Sequence, residues 1–189
     1  MAAPELVLPA AGGVHTLSLY VANKPGVLVR VALVFARRGF NIESLVVSAA
    51  AHGDFSRMTI ACRGDRTQLE QIVKQLAKLV DVVQAIDHTG DQAFETEIAL
   101  IKVQADLEGR TQTLQIAEHF GAKVVDYGHD SLMMRVYGST EKLDAFIALL
   151  RPYGLIELVR SGKILMARGT LAKYIRSVKS ASEGCVTDE

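Results

Sequence analysis

Few side chains in this chain have the types and spacing that catalysis or metal binding would need. The sequence contains five histidines and two cysteines, Cys62 and Cys185, and none stands at a spacing typical of a metal or redox site. It also lacks the motifs of zinc proteases, serine hydrolases and phosphate-binding loops. Asp126, Asp130 and Asp144 are scattered, and nothing in their spacing favours a catalytic pair. The pattern therefore predicts no catalytic activity for this chain alone.

The turn Asn23-Lys24-Pro25-Gly26 offers chemistry of another kind. An alternating apolar run stops there, and apolar residues at helical spacing follow at once. The first N–H groups of a helix lack acceptors and carry partial positive charge, so a carboxylate or phosphate can bind them. Gly26 has no side chain to block such a group, Pro25 restricts the backbone, and the Asn23 amide can donate and accept. Spacing alone leaves two possibilities open, a plain connection and an anion site.

Asn41 is a second polar residue that this site could use. It follows Gly39 and Phe40 and begins the next predicted strand, at the far end of the first helix from Gly26. The two residues cannot easily meet within one chain, but they can meet when two chains pair symmetrically. A ligand held between them would couple ligand binding to dimer formation.

The elements that must position these residues occur in an order that is repeated. Strands are predicted over 14–22, 42–50, 57–63 and 82–88, and helices after Gly26 and from a Thr67–Glu70 capping box. A weaker copy has strands over 96–104, 123–127, 132–137 and 155–160, a helix over 110–120, and a second helix that Pro152 ends, with the apolar positions Leu143, Phe146, Ile147 and Leu150. The order βαββαβ is that of the ferredoxin-like fold. We therefore predict an α+β protein with two tandem ferredoxin-like βαββαβ domains.

The predicted boundaries divide the chain into four segments. They are a flexible leader (1–13), a first domain (14–90), a second domain (91–169) and a tail (170–189). The tail has apolar residues at helical spacing, which predicts a short amphipathic helix: Leu171, Tyr174, Ile175 and Val178. This helix would either pack on its own domain or dock onto a partner protein.

Composition restricts the partners and the compartment. Lys and Arg total 21 and Asp and Glu total 21, so no basic field favours nucleic acid or anionic membrane. The two strands that an RNA-binding module would use for base stacking contain one aromatic ring, Tyr20. No secretory signal, long apolar segment or disulfide framework is visible. We expect a cytoplasmic protein that binds neither nucleic acid nor a membrane.

The sequence also resembles a known family over most of its length. The stretches ANKPGVLVRVALVFARRGFNIESLVVS, SRMTIACRGD and LEQIVKQLAKLVDVVQAID are similar to the ACT domain of acetolactate synthase (acetohydroxyacid synthase) regulatory subunits. The stretches EIALIKV and GSTEKLDAFIALLRPYGLIELVRSGKILMARG resemble the second half of the same subunits. The likeness runs over residues 15–169, and the combination of RGFNIESL, SRMTI and KLVDV is specific to this family.

The resemblance implies a non-catalytic regulatory subunit whose first domain is an ACT domain. Such subunits form homodimers through their ACT domains and bind a catalytic large subunit that carries thiamine diphosphate, Mg²⁺ and FAD. This chain itself would bind none of these cofactors. The subunits activate the catalytic partner and confer feedback inhibition by valine, or by leucine or isoleucine, in branched-chain amino acid biosynthesis.

The resemblance also implies where the amino acid binds, at the interface of two ACT domains. By motif match, one chain supplies Asn23, Pro25, Gly26, Val27 and Leu28, the other supplies Asn41 and Ile42, and Val29 and Ser48 lie nearby.

Two other classes of protein remain open at this stage. A free-standing ACT-type amino-acid sensor would act on a different protein partner, and it would not account for the resemblance of the second half. A small ferredoxin-like enzyme would need a converging set of catalytic groups. Binding to a thiamine-dependent synthase, assayed with and without valine, separates the three classes.

Overall fold

The computed structural model describes residues 13–51, 53–91 and 93–168. These residues form two compact units, and the chain passes from the first to the second between Gly90 and Asp91. The predicted leader, apart from Gly13, and the predicted helix within 170–179 lie outside the described residues.

The first unit consists of four strands and two α-helices in the order βαββαβ. Its elements are β1 (Gly13–Ala22), α1 (Val27–Arg37), β2 (Asn41–Ala49), β3 (Phe55–Gly64), α2 (Arg66–Leu76) and β4 (Val82–Asp87). The sheet order is β2-β3-β1-β4, with β1 antiparallel to both of its neighbours. Strand β2 is therefore an edge strand, and it carries the predicted residues Asn41, Ile42 and Ser48.

The core of the first unit follows from the two periodicities seen in the sequence. Strand residues two apart and helix residues three or four apart contribute the fully buried side chains, among them Leu17, Leu19, Val31, Phe35, Ile60, Leu69, Ile72 and Leu76. Helix α1 ends at Arg37, and Gly39 takes a left-handed φ of 68° just beyond its end. This turn fixes where β2 begins.

The second unit repeats the order and adds one strand. Its elements are β5 (Ala93–Gln104), α3 (Leu107–His119), β6 (Lys123–Tyr127), β7 (Ser131–Gly138), α4 (Thr140–Leu150), a short 3₁₀ helix (Arg151–Tyr153), β8 (Leu155–Arg160) and β9 (Ile164–Ala167). The sheet order is β6-β7-β5-β8, and β9 pairs with the beginning of β5. The predicted α+β class and the βαββαβ order of both units are confirmed.

One nearly buried carboxylate organises the charges of the second unit. Glu97 accepts hydrogen bonds from the Thr140 hydroxyl (2.6 Å) and from Arg160 Nη2 (2.5 Å). Arg160 Nη1 also pairs with Asp144 at 2.6 Å. Glu97 needs these partners because it is buried, and Asp144, which is exposed, joins the same ion-pair network through Arg160.

Helix α2 differs from its prediction at both ends. Its N-cap is Asp65, whose carboxylate accepts from the Thr67 N–H at 3.1 Å, so the predicted Thr67–Glu70 capping box is wrong. The helix ends at Leu76, so Val80 is not part of the apolar stripe and is fully exposed.

The second unit differs from its prediction at the start of β5, which begins at Ala93 rather than at residue 96, at the start of α3, and in an additional strand. Helix α3 begins at Leu107, three residues earlier than predicted, because Asp106 caps it by accepting from the Gly109 N–H at 2.7 Å. Strand β9 was not predicted, since four residues give too short a run for periodicity to indicate a strand.

Candidate functional site

The start of α1 differs from the other α-helix starts in the described part of the chain. Asp65, Asp106 and Ser139 cap α2, α3 and α4, each accepting a hydrogen bond from a backbone N–H of its helix. The N-cap of α1 is Gly26, which offers no side-chain acceptor. Among these four helix starts, only that of α1 is left without a carboxylate or hydroxyl of its own.

The backbone at Gly26 favours glycine. Its φ of 82° and ψ of −8° lie in the left-handed region, which side chains of L-residues rarely adopt. The Val27 N–H donates to the Lys24 carbonyl at 3.4 Å, and the Arg30 N–H donates to the Gly26 carbonyl at 3.1 Å. The N–H groups of Leu28 and Val29 lie between these two bonds, at the exposed beginning of the helix. The turn therefore presents helix-start N–H groups without an obstructing side chain.

Asn23 ties this turn to the loop between β2 and β3. Its Nδ2 donates to the Gly53 carbonyl at 3.1 Å, and its backbone N–H donates to the Asp54 carbonyl at 2.8 Å. With the amide nitrogen used in this way, Oδ1 of Asn23 is the atom that can accept a hydrogen bond from a ligand. The side chain is exposed, so a ligand can reach it.

Arg30 is a residue near the site that the sequence reasoning missed. A Cβ built on Gly26 would lie 3.5 Å from Arg30 Nη1, and Arg30 Nη2 pairs with Asp81 at 2.7 Å. The Arg30–Asp81 ion pair therefore lies beside the helix start, with Arg30 Nη1 on the side of Gly26. The i, i+4 spacing of Gly26 and Arg30 is a signal that could have found it.

The structure places the other predicted residues in different surroundings around α1. Val27 is buried in the core, whereas Pro25 is exposed. Leu28 and Val29 are also exposed, by 41% and 61%, although both are large and apolar. On the same helix, Leu33 is 46% exposed. One side of α1 is therefore apolar and uncovered.

Within one chain the predicted residues of β2 fall into two groups. Strand β2 runs parallel to β1, so Ser48 near its end lies at the same end of the unit as Gly26. Asn41 and Ile42 begin β2 at the opposite end, separated from Gly26 by the length of α1, about 16 Å for eleven residues. A single chain does not bring Asn41 and Ile42 to the helix start.

Other reactive side chains of the first unit have structural surroundings. Cys62 is fully buried, and desolvation together with the charges of Asp87 and Glu43 raises the pKa of its thiol to about 11. The thiol is protonated at neutral pH and is a poor nucleophile. His15 is buried and hydrogen-bonded to Thr89 Oγ1 at 3.1 Å and to the Gly64 carbonyl at 3.0 Å.

The described residues form neither a group of metal ligands nor a membrane-spanning helix. Within 13–51, 53–91 and 93–168, no three His, Cys, Asp or Glu side chains are grouped as metal ligands would be. None of the helices in this part of the chain is long and apolar enough to cross a membrane.

The sequence matches two family models, one for each unit. Residues 17–84 match the small-subunit-like ACT domain of acetohydroxyacid synthase, and residues 96–169 match the small subunit of acetolactate synthase. The acetolactate synthase small subunit of Mycolicibacterium smegmatis is 46% identical over 155 residues, which is 82% of this chain and 91% of the relative. A probable acetolactate synthase small subunit of Archaeoglobus fulgidus is also 46% identical, over 82% of this chain and 97% of the relative.

A solved structure is similar over both units. The crystal structure of the acetolactate synthase small subunit from Thermotoga maritima matches with a TM-score of 0.76 and 38% identity, covering 84% of this chain and 99% of that one.

Fold and sequence together define a class of protein, an ACT-domain regulatory protein with a second ferredoxin-like domain. Within that class, the chain belongs to the family of acetolactate synthase small subunits.

Proposed function

We propose that this chain is the regulatory subunit of an acetolactate synthase and that two copies bind a branched-chain amino acid between their ACT domains. It acts in the cytoplasm, activates the thiamine-diphosphate-dependent catalytic subunit and makes it sensitive to valine, or to leucine or isoleucine. Thiamine diphosphate, Mg²⁺ and FAD belong to the catalytic subunit, and this chain makes no product alone.

The observation that carries the proposal is the uncapped start of α1 at Gly26. The effector's carboxylate accepts from the N–H groups of Leu28 and Val29, in the field of the helix dipole and beside the Arg30–Asp81 ion pair. Its ammonium group donates to Oδ1 of Asn23, whose Nδ2 is held by Gly53. The second unit supports this assignment by contrast, because at the start of α3 the Asp106 carboxylate occupies the corresponding position.

The dimer rests on the uncovered side of α1 and on the edge strand β2. Leu28, Val29 and Leu33 are exposed on the helix, and Val47 is 45% exposed on the strand. Edge strands and exposed apolar groups are favourable surfaces for pairing between chains. A twofold axis beside them brings Asn41 and Ile42 of one chain towards Gly26 of the other. The aliphatic side chain of the effector then lies among apolar groups of both chains.

The selectivity of such an interface pocket is limited. Each additional methylene that does not fit costs roughly 1–3 kcal/mol, so the affinities for valine, leucine and isoleucine should differ by about 5- to 150-fold. Feedback inhibition further requires that effector binding and the catalytic subunit's active site be coupled by about 1–3 kcal/mol.

Reconstitution tests this function. The purified chain is mixed with an acetolactate synthase catalytic subunit, and acetolactate formation is measured with and without valine, leucine and isoleucine. We expect complex formation, a higher rate, and inhibition by at least one of the three amino acids. A chain that neither binds the catalytic subunit nor changes its rate would contradict the proposal and would favour an amino-acid sensor for another protein.

A further inference from the structure

Gly64, the last residue of β3, lies directly against the ring of Phe40, the residue before β2. A Cβ built on Gly64 would overlap Phe40 Cε1 and Cζ and would lie 3.1 Å from Cδ1. Non-bonded carbon atoms approach each other to about 3.5–4.0 Å, so no methyl group fits while the ring stays in place. The φ of Gly64 is not in the left-handed region, so the ring, and not backbone strain, excludes a side chain here.

Strand β1 holds the backbone of Gly64 in place. Gly64 lies opposite Gly13 in the antiparallel pair, and its carbonyl is hydrogen-bonded to Nε2 of the buried His15 at 3.0 Å. The Phe40 side chain is also buried, since 8% of its surface is exposed. A side chain added at Gly64 would therefore move the Phe40 ring and the backbone that carries it.

Phe40 in turn holds the beginning of β2. Its N–H donates to the Phe35 carbonyl at 3.1 Å, and Asn41 and Ile42 follow it directly. An ion pair between Glu43 and Arg63, at 2.7 Å, ties the same part of β2 to β3. Both side chains of that pair are partly exposed, and such pairs contribute little, so the buried ring is the stronger anchor.

We infer that Gly64 is a positioning residue of the effector site, because the space it leaves for Phe40 determines where Asn41 and Ile42 lie. The inference rests on the proposed function and adds to it a residue that does not touch the effector. A methyl group at Gly64 would displace the ring by about 1 Å or more. Hydrogen bonds weaken beyond about 3.2 Å, so a shift of this size in Asn41 is enough to lose its bond to the effector.

A positioning role affects only one of the two sites in a dimer. Each site combines Asn41 of one chain with Gly26 of the other. Gly64→Ala in one chain should therefore weaken the site that uses that chain's Asn41 and leave the second site unchanged. A general loss of stability would weaken both sites alike, so the location of the defect separates the two roles.

Two heterodimers of full-length chains, each purified with two different affinity tags, test the inference. In both, Gly26→Asp in one chain removes one site. In the first heterodimer Gly64→Ala is in the same chain as Gly26→Asp, so the remaining site uses Asn41 of the altered chain. In the second, Gly64→Ala is in the other chain, so the remaining site uses an unaltered β2.

Both heterodimers are titrated by calorimetry with valine, leucine and isoleucine. The first should bind the effector about tenfold or more weakly than the second, because a hydrogen bond to a charged group is lost. The second should bind it as tightly as a heterodimer that carries Gly26→Asp alone.

Gly13→Ala is the matched control, because it adds the same methyl group on the opposite strand. There the nearest atom, His15 Nε2, would be 3.7 Å away, so the change should leave the affinity unaltered in either arrangement. Phe40→Leu removes the ring without creating an overlap. It should give the same difference between the two heterodimers, and it replaces Gly64→Ala if that variant does not fold.

Equal affinities of the two heterodimers would overturn the inference and leave the shared effector site intact. Binding of none of the three amino acids by the unmodified dimer would contradict the proposed function, and the inference would fail with it.

Discussion

Substitutions of Gly26 separate the backbone role of this residue from its role in binding an anion. Any side chain here must adopt the left-handed conformation, which costs about 1–2 kcal/mol for most L-residues and less for Asn and Asp. Gly26→Asn and Gly26→Asp therefore carry similar backbone strain and nearly the same volume. They differ in one respect, the negative charge.

The structure indicates what that charge does. The new carboxylate would sit on the exposed N–H groups of α1, near Arg30 Nη1, so Gly26→Asp should fold at least as well as Gly26→Asn. An effector carboxylate about 4 Å away would then meet a like charge, at a cost of about 4 kcal/mol for an effective dielectric constant of 20. That cost weakens effector binding by about a factor of a thousand.

Isothermal titration calorimetry with valine, leucine and isoleucine, combined with thermal denaturation, measures both effects. We expect similar melting temperatures for the two variants, weakened binding for Gly26→Asn and no detectable binding for Gly26→Asp. The assignment of the carboxylate to the start of α1 would be refuted if Gly26→Asp bound the effector as tightly as Gly26→Asn.

Three further predictions concern the dimer, one helix cap and one buried thiol. Val29→Glu should raise the dimer dissociation constant by about tenfold or more in sedimentation velocity, because a carboxylate must lose water at the interface. Gln68→Glu on α2 should leave this constant unchanged, and equal effects of the two changes would argue against α1 as the interface. Ser139→Ala removes the hydroxyl that accepts from the Lys142 N–H at 3.3 Å and should lower the free energy of unfolding by about 1 kcal/mol in urea titrations, while Ser139→Thr should restore most of it. The pKa of the Cys62 thiol is about 11 in the folded chain, above its ordinary value of 9.0. Its contribution to the free energy of unfolding is therefore complete below pH 9 and is lost as the pH rises through 11, because the unfolded chain releases this proton first. The stability difference between the unmodified chain and Cys62→Ala should therefore shift by about 2–3 kcal/mol over this range, and a constant difference would contradict it.

The order of elements could be predicted because buried residues recur at the period of the helix or strand that carries them. The apolar residues of α1 and α4 recur at three and four positions, and those of β1 and β3 alternate. The ends of helices do not follow from periodicity, since they depend on which of several polar residues caps the helix. Asp65 rather than Thr67 caps α2, and both residue types are favourable caps. Strand β9 exists only because it pairs with residues about 70 positions earlier, which no local pattern reveals.

The candidate site was predictable only in its local part. Asn23, Pro25 and Gly26 are adjacent in sequence and follow a strand, so the turn could be recognised directly. The bond from Asn23 to Gly53 joins residues 30 positions apart, and the left-handed backbone of Gly26 depends on the geometry of the whole turn. These features required the folded chain.

The central claim, that one effector site is shared by two chains, is tested most directly with mixed dimers. Gly26→Asp and Asn41→Ala each damage both sites of a homodimer, the first at the helix start from one chain and the second at the β2 residue from the other chain. In a heterodimer of the two variants, one site combines Gly26 and Asn41 in unaltered form, and the other contains both changes. Purified heterodimers, selected with two different affinity tags, are titrated with valine by calorimetry. A shared site predicts one valine per dimer with the affinity of the unmodified protein. A site contained within one chain predicts that no heterodimer regains this affinity, and that result would contradict the account.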